Sequence, residues 1–203
     1  MPVVPRPLVL ACAALARDLR AALAAAHADH LLDVEYLPAA LHNAPSRIVP
    51  ALAPRVDGAL ACGRRVFVAY ADCGTGGGLD AFLAARPDVA RLPGAHCYEM
   101  LAGSELFAEL DGQEPGTFYL TDFLARHFDA LVWWGLGLDR APQLRDEYFR
   151  HYRRLVHLAQ DDDAGVGARA EGAAARLGLA FERRLVGRHR LAEALVAFAG
   201  VGP

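Results

Sequence analysis

Several things are missing from this chain of 203 residues, and each absence removes a class of function. Lysine is absent, so positive charge rests on scattered arginines; with a net charge of −3 and no basic stripe interleaved with aromatics, no nucleic-acid footprint is expected. No uncharged apolar run is long enough to span a bilayer, so no membrane segment is expected. The opening, MPVVPRPLVLACAALARDL, has early prolines and reaches Arg17 and Asp18 too soon for a cleavable leader. A cytoplasmic protein is therefore the expectation. There are only 4 cysteines, none in a C-x-x-C pair, which removes zinc fingers and ribbons. In a reducing compartment they are expected to be thiols or metal ligands rather than disulfides. Neither G-x-S-x-G, a Walker-type loop nor a dinucleotide G-x-G-x-x-G occurs in its proper context.

What is present is an alanine-, leucine- and valine-rich chain, 54% hydrophobic, long enough to bury a full core. The stretch over residues 66–100 carries most of the chemistry. It begins with a buried strand, VFVAY, runs into Asp72-Cys73-Gly74-Thr75 and three glycines, and then opens a helix near Leu79. A second strand, over residues 89–92, ends in Pro93-Gly94-Ala95 and delivers His96 and Cys97. A strand feeding a glycine-rich turn and a helix places backbone N–H groups and a thiol at the carboxyl edge of a sheet.

Elsewhere the pattern predicts strands at LVLAC and DVEYL with a helix over 15–28 between them. A helix opened by Pro45 and Ser46 should be broken into short pieces by Pro50 and Pro54. LVLAC, VFVAY and LVHLAQ are each followed by a turn, an alanine-rich helix and a second strand, DVEYLP, DVARLP or LAFERRLV. Each second strand is followed by a histidine, His42, His96 or His189, and Cys12, Tyr70 and Gln160 fall in corresponding places. The expected class is α/β with mostly parallel short strands, as a single domain over 1–203. Its strands form either one wound sheet or three strand–helix–strand repeats (6–43, 64–100 and 154–190) around a central cleft, with a helical insertion over 101–153. Within that insertion Thr121 is a predicted helix cap, and a further helix is read over 141–155. The run Asp161-Asp162-Asp163 reads as a solvated turn that caps the next helix.

Cys73, at the mouth of a helix, has backbone donors and the helix dipole to favour its thiolate. Cys97, Cys12 and His96 come from other strand ends, and the four together are the candidate metal ligands. Zinc suits them by softness and charge, and an iron–sulfur cluster is the alternative. Gly74, Thr75, Gly76 and Gly77 are expected to present amides to an anionic group of a small-molecule substrate. Tyr70, Asp72, His42 and Glu99 are the candidates for proton transfer or for orienting the ligands. Without a metal, Cys73 would be a nucleophile with His96 or His42 as its base, as in a hydrolase or transferase.

The strings Tyr36-Leu37-Pro38, Leu41-His42-Asn43, Tyr70-Ala71-Asp72-Cys73-Gly74-Thr75-Gly76-Gly77, Leu92-Pro93-Gly94-Ala95-His96-Cys97-Tyr98-Glu99-Met100 and Pro115-Gly116-Thr117-Phe118-Tyr119-Leu120-Thr121-Asp122-Phe123-Leu124 resemble domain-of-unknown-function family 1638 over nearly the whole chain. The resemblance implies a setting near corrinoid-dependent methyltransferases of methylamine and one-carbon metabolism. A corrinoid protein or methyltransferase is then the implied partner. The function expected is a metal-dependent enzyme, a transferase or lyase, with a non-catalytic metal- or corrinoid-protein accessory factor as the alternative. Three strand–helix–strand units lending cysteines to one centre is similar in plan to quinolinate synthase, although the third unit here offers Gln160 and His189 in place of a cysteine.

Overall fold

A computed structural model describes residues 5–200; the first four residues of the opening discussed above lie outside it, as do the last three. The chain is α/β and divides into two compact units, one formed by the chain up to Met100 with the segment from Arg188 onward, the other by Leu101–Gly187.

The first unit holds β1 (Leu8–Cys12), α1 (Ala16–Ala25), β2 (Asp33–Leu37), α2 (Ile48–Ala61), β3 (Val66–Ala69), α3 (Gly78–Ala84), β4 (Val89–Arg91) and α4 (Cys97–Ala102), whose last turn runs on past Met100. All four strands are parallel, in the order β2-β1-β3-β4. The two central strands, LVLAC and VFVA, are buried at every residue, as strands covered on both faces must be. Leu8, Leu10 and Cys12 of β1, with Val66 and Val68 of β3 and the following Tyr70, pack against Ile48, Leu52 and Val56 of α2 and Leu79 and Leu83 of α3.

The prolines do not break α2. Pro50 sits in its first turn, where the missing N–H has no partner within the helix anyway. Pro54 removes one hydrogen bond, to the carbonyl of Pro50, at a cost of about 3 kcal/mol. The buried stripe Ile48, Leu52, Val56 and Ala59 offsets that cost by holding the helix on the sheet.

The second unit holds α5 (Ser104–Gln113), β5 (Thr117–Thr121), α6 (Asp122–Arg126), a π-helical turn (Asp129–Trp133), α7 (Leu144–Phe149), β6 (Arg154–Ala159), α8 (Ala164–Leu177) and β7 (Ala180–Leu185). Its sheet is parallel, in the order β5-β6-β7. Both expected caps form: the Thr121 hydroxyl accepts from the Leu124 N–H at 3.3 Å, and Asp163 accepts from Gly165 and Val166 at 2.9 and 3.1 Å. Back in the first unit, α9 (His189–Ala199) packs on α1, where the Arg188 guanidinium meets the buried Asp18 carboxylate at 2.6 Å.

Three further readings of the sequence need correcting. The strands form two sheets, not one wound sheet or three lobes, because β5 lies inside the span read as a helical insertion and gives β6 a second neighbour. The helix read over 141–155 stops at Phe149, and Leu155 belongs to β6. The helix read from residue 15 to 28 ends at Ala25. The three strand–helix–strand units themselves are present, β1 pairing with β2, β3 with β4 and β6 with β7. No helix among the described residues is long and apolar enough to cross a membrane.

Candidate functional site

In a parallel sheet ordered 2-1-3-4, the crossover connections leave β1 and β3 in opposite directions, which opens a crevice at their carboxyl ends. Cys12 ends β1 and Tyr70 follows β3. Ala11 and Ala69 are partners in the ladder, so Cys12 and Tyr70 are the next pair along and share the face toward α2. Two residues beyond Ala71, Cys73 is buried and held in the left-handed region at φ 52°, a conformation that costs a residue with a Cβ roughly 1 kcal/mol. Hydrogen bonds from Asp72 N to Gly94 O (3.1 Å) and from Cys73 N to Ala95 O (2.8 Å) tie this turn to the one after β4. That second turn delivers Cys97 to the start of α4. The Cys97 residue is partly exposed, but its sulfur lies in the interior.

The three sulfurs are close enough to feel one another. Burial pushes the Cys73 thiol up to about 11, and the Cys12 thiol adds to the rise. Burial, followed by Cys73 and Cys12, raises Cys97 as well. Cys12 is also raised by burial, against a backbone hydrogen bond from Ala14 at 3.4 Å. Amide donors from Ala71 and Cys97 reach Cys73, and those of Cys97 and Tyr98 reach Cys97. All three sulfurs thus lie among N–H donors suited to negative sulfur, while burial keeps them neutral.

His42 reaches Cys12 rather than Cys73, its Nδ1 lying 3.6 Å from the sulfur and 3.3 Å from the carbonyl oxygen of Ala39. A carbonyl only accepts, so Nδ1 carries the proton and the imidazole serves Cys12 as a donor rather than as a base. Burial lowers the His42 pKa, which favours the neutral ring. His96 rests against the Tyr98 ring at 5.5 Å. Among the described residues no group of three His, Cys, Asp or Glu side chains stands close enough to hold a metal ion, so Cys12, Cys73, Cys97 and His96 are not a formed coordination sphere.

The glycine loop is arranged differently from the sequence reading. The Asp72 carboxylate accepts from the Thr75 hydroxyl and from the N–H groups of Gly76 and Gly77, each at 3.0 Å. Those amides are therefore occupied by the chain's own anion instead of facing outward. Thr75, followed by these amides, also holds the Asp72 carboxyl below the usual range, so it shapes the loop and is poorly suited to carry protons. Gly74 approaches Pro45, and a Cβ there would stand 3.2 Å from the ring. Glu99 accepts from Ala95 N at 2.9 Å, which closes the first turn of α4.

The sequence reading missed a buried network at the carboxyl edge of the second unit's sheet. His157, fully buried on β6, meets Asp122 Oδ1 through Nε2 at 2.9 Å. Gln160 N also donates to Asp122 Oδ1, at 3.3 Å, and Gln160 Oε1 accepts from Asp122 N at 2.7 Å. The only signal was positional: Asp122 and Gln160 directly follow strands, His157 lies within one, and β5 was not recognised.

A family model described as a protein of unknown function, DUF1638, matches residues 36–195. The chain belongs to the DUF1638 family. In this DUF1638 protein the matched span covers His42, Tyr70, Cys73 and Cys97, while Cys12 precedes it. Comparison with curated proteins and with solved structures gave no match.

Proposed function

We propose that this protein is a metal-dependent enzyme whose ion is held by Cys12, Cys73 and Cys97 in the crevice between β1 and β3. One observation supports the reading: three thiols follow the carboxyl ends of three strands of one parallel sheet, β1, β3 and β4, each among N–H donors. Three buried sulfurs cannot all ionise without a cation to offset them, and a soft divalent ion is the natural counter-charge for thiolates. The donor set fits zinc with one open position, or an iron–sulfur cluster with one iron left unligated by cysteine. As they stand the side chains are not a coordination sphere, and they would have to close on an ion as they lose their protons.

Zinc held this way would lower the pKa of a thiol or other soft small substrate bound at its open position. Asp72 keeps the loop that carries Cys73 in shape, and His42 steadies Cys12 through Nδ1–H. Following the setting that the family resemblance implies, we place the reaction in one-carbon metabolism beside a corrinoid-dependent methyltransferase.

The test is elemental analysis with an ultraviolet–visible spectrum on anaerobically purified protein, repeated for Cys73→Ser. Stoichiometric colourless zinc that is lost in the variant supports the mononuclear site, and a brown chromophore supports the cluster. Metal-free wild-type protein, purified without chelator and unable to take up zinc, would leave only a cysteine-nucleophile enzyme.

A further inference from the structure

We infer that β7 is the surface on which two copies of this chain pair, their edge strands meeting antiparallel about a two-fold axis at Arg183 to form one continuous sheet. β7 ends the order β5-β6-β7, and its only strand neighbour among the described residues is β6. The N–H groups of Ala180 and Val186 bond to the carbonyls of Arg153 and Ala159 at 3.1 and 2.8 Å, which sets the phase of the ladder. Every second residue of a strand turns both backbone groups to the same neighbour. Ala180, Glu182 and Arg184 therefore face β6, and Phe181, Arg183 and Leu185 turn theirs to the open edge. An open edge is a ready template for another strand. It also carries Leu185, which at 60% is the most exposed large hydrophobic among the described residues.

The side chains select the occupant. Pairing about Arg183 brings the outward N–H and C=O groups of Phe181, Arg183 and Leu185 together as hydrogen-bonded pairs. On one face of the sheet, Leu185 is then covered by Phe181 of the second copy. On the other, Glu182 lies opposite Arg184 of the second copy, and Arg184 opposite its Glu182. Within one chain Glu182 already meets Arg184 at 2.7 Å, so the pairing closes a ring of alternating charges. Moving the axis by one residue sets Glu182 against Glu182 in one direction and Arg184 against Arg184 in the other, so the charges fix the register. The like pair at the axis is offset within each chain, because the Arg183 guanidinium is bound to Asp162 at 2.9 Å and to the Asp161 carbonyl at 3.0 Å. A strand of unrelated sequence meets two exposed arginines on this edge, which keep it off. The resulting contact is self-complementary and closed.

The experiment is sedimentation velocity on the full chain over a range of concentration, with hydrogen exchange of the backbone amides as a second readout. Wild-type protein should be a dimer. Leu185→Lys and Arg184→Glu each alter a contact that occurs on both sides of the axis, and each should weaken dimerisation about tenfold. Both positions are exposed, so circular dichroism should stay that of wild type. Tyr36→Lys, on the free edge of the other sheet, should leave the dimer unchanged. The N–H groups of Phe181, Arg183 and Leu185 should exchange slowly in the wild-type dimer and rapidly in the dissociated variants. Wild-type protein that is monomeric at about 100 μM would overturn the inference. A dimer unmoved by both substitutions would overturn it too, as would slow exchange of those amides in a monomer.

Discussion

Replacing Asp122 by alanine should be among the most damaging single changes in the second unit. The carboxylate is 1% exposed; its Oδ1 accepts from His157 Nε2 at 2.9 Å and from Gln160 N at 3.3 Å, and its Oδ2 faces the Arg126 guanidinium at 3.8 Å. Alanine leaves two buried N–H donors without partners, at roughly 1–3 kcal/mol each. Breaking a buried pair from one side typically costs about 3–5 kcal/mol, so the two routes agree on a loss of about 3–5 kcal/mol. Asp122→Leu combined with His157→Leu removes one of the two orphaned donors together with its acceptor, leaving only the Gln160 N–H, and should recover about half of that loss. The assay is urea unfolding followed by tryptophan fluorescence, because Trp133 and Trp134 are the only tryptophans and both lie in Leu101–Gly187, so the signal reports on this unit. An Asp122→Ala variant within about 1 kcal/mol of wild type, or a double variant worse than the single, would refute the reasoning.

The strained turn and the buried thiols allow three further tests. Because Cys73 sits at φ 52°, Cys73→Gly should be more stable than Cys73→Ala by about 1 kcal/mol, measured by the same denaturation followed by circular dichroism. In metal-free protein at pH 8 a thiol reagent should find one fast cysteine, the exposed Cys62, with Cys12, Cys73 and Cys97 slow. Cys73 is raised from 9.0 to about 11, so the fold favours its neutral form. That contribution is fully present below pH 9 and is lost as pH climbs toward 11, so thermal stability should fall across that window and fall less in Cys73→Ala.

What could be read from the chain alone was what neighbours along it decide. The runs LVLAC and VFVA are strands because every residue is apolar and turn residues bound them, and Thr121 and Asp163 cap because their acceptors lie within a few residues. Likewise, Asp72-Cys73-Gly74 had to be a turn at a strand's carboxyl end, since only a turn accommodates glycines so dense. Tertiary structure decided everything that depends on which strands lie side by side. The order β2-β1-β3-β4 makes Cys12 and Tyr70 neighbours across 58 positions, and it cannot be inferred from the periodicity of any one segment. Packing also sent His42 to Cys12, and local folding turned the Gly76 and Gly77 amides inward to the Asp72 carboxylate four and five residues earlier. The strand TFYLT and the Asp122–His157 pair stayed hidden for the same reason: their stabilising partners lie 35 to 38 residues away, and hydrogen bonds across a sheet leave no mark on local sequence.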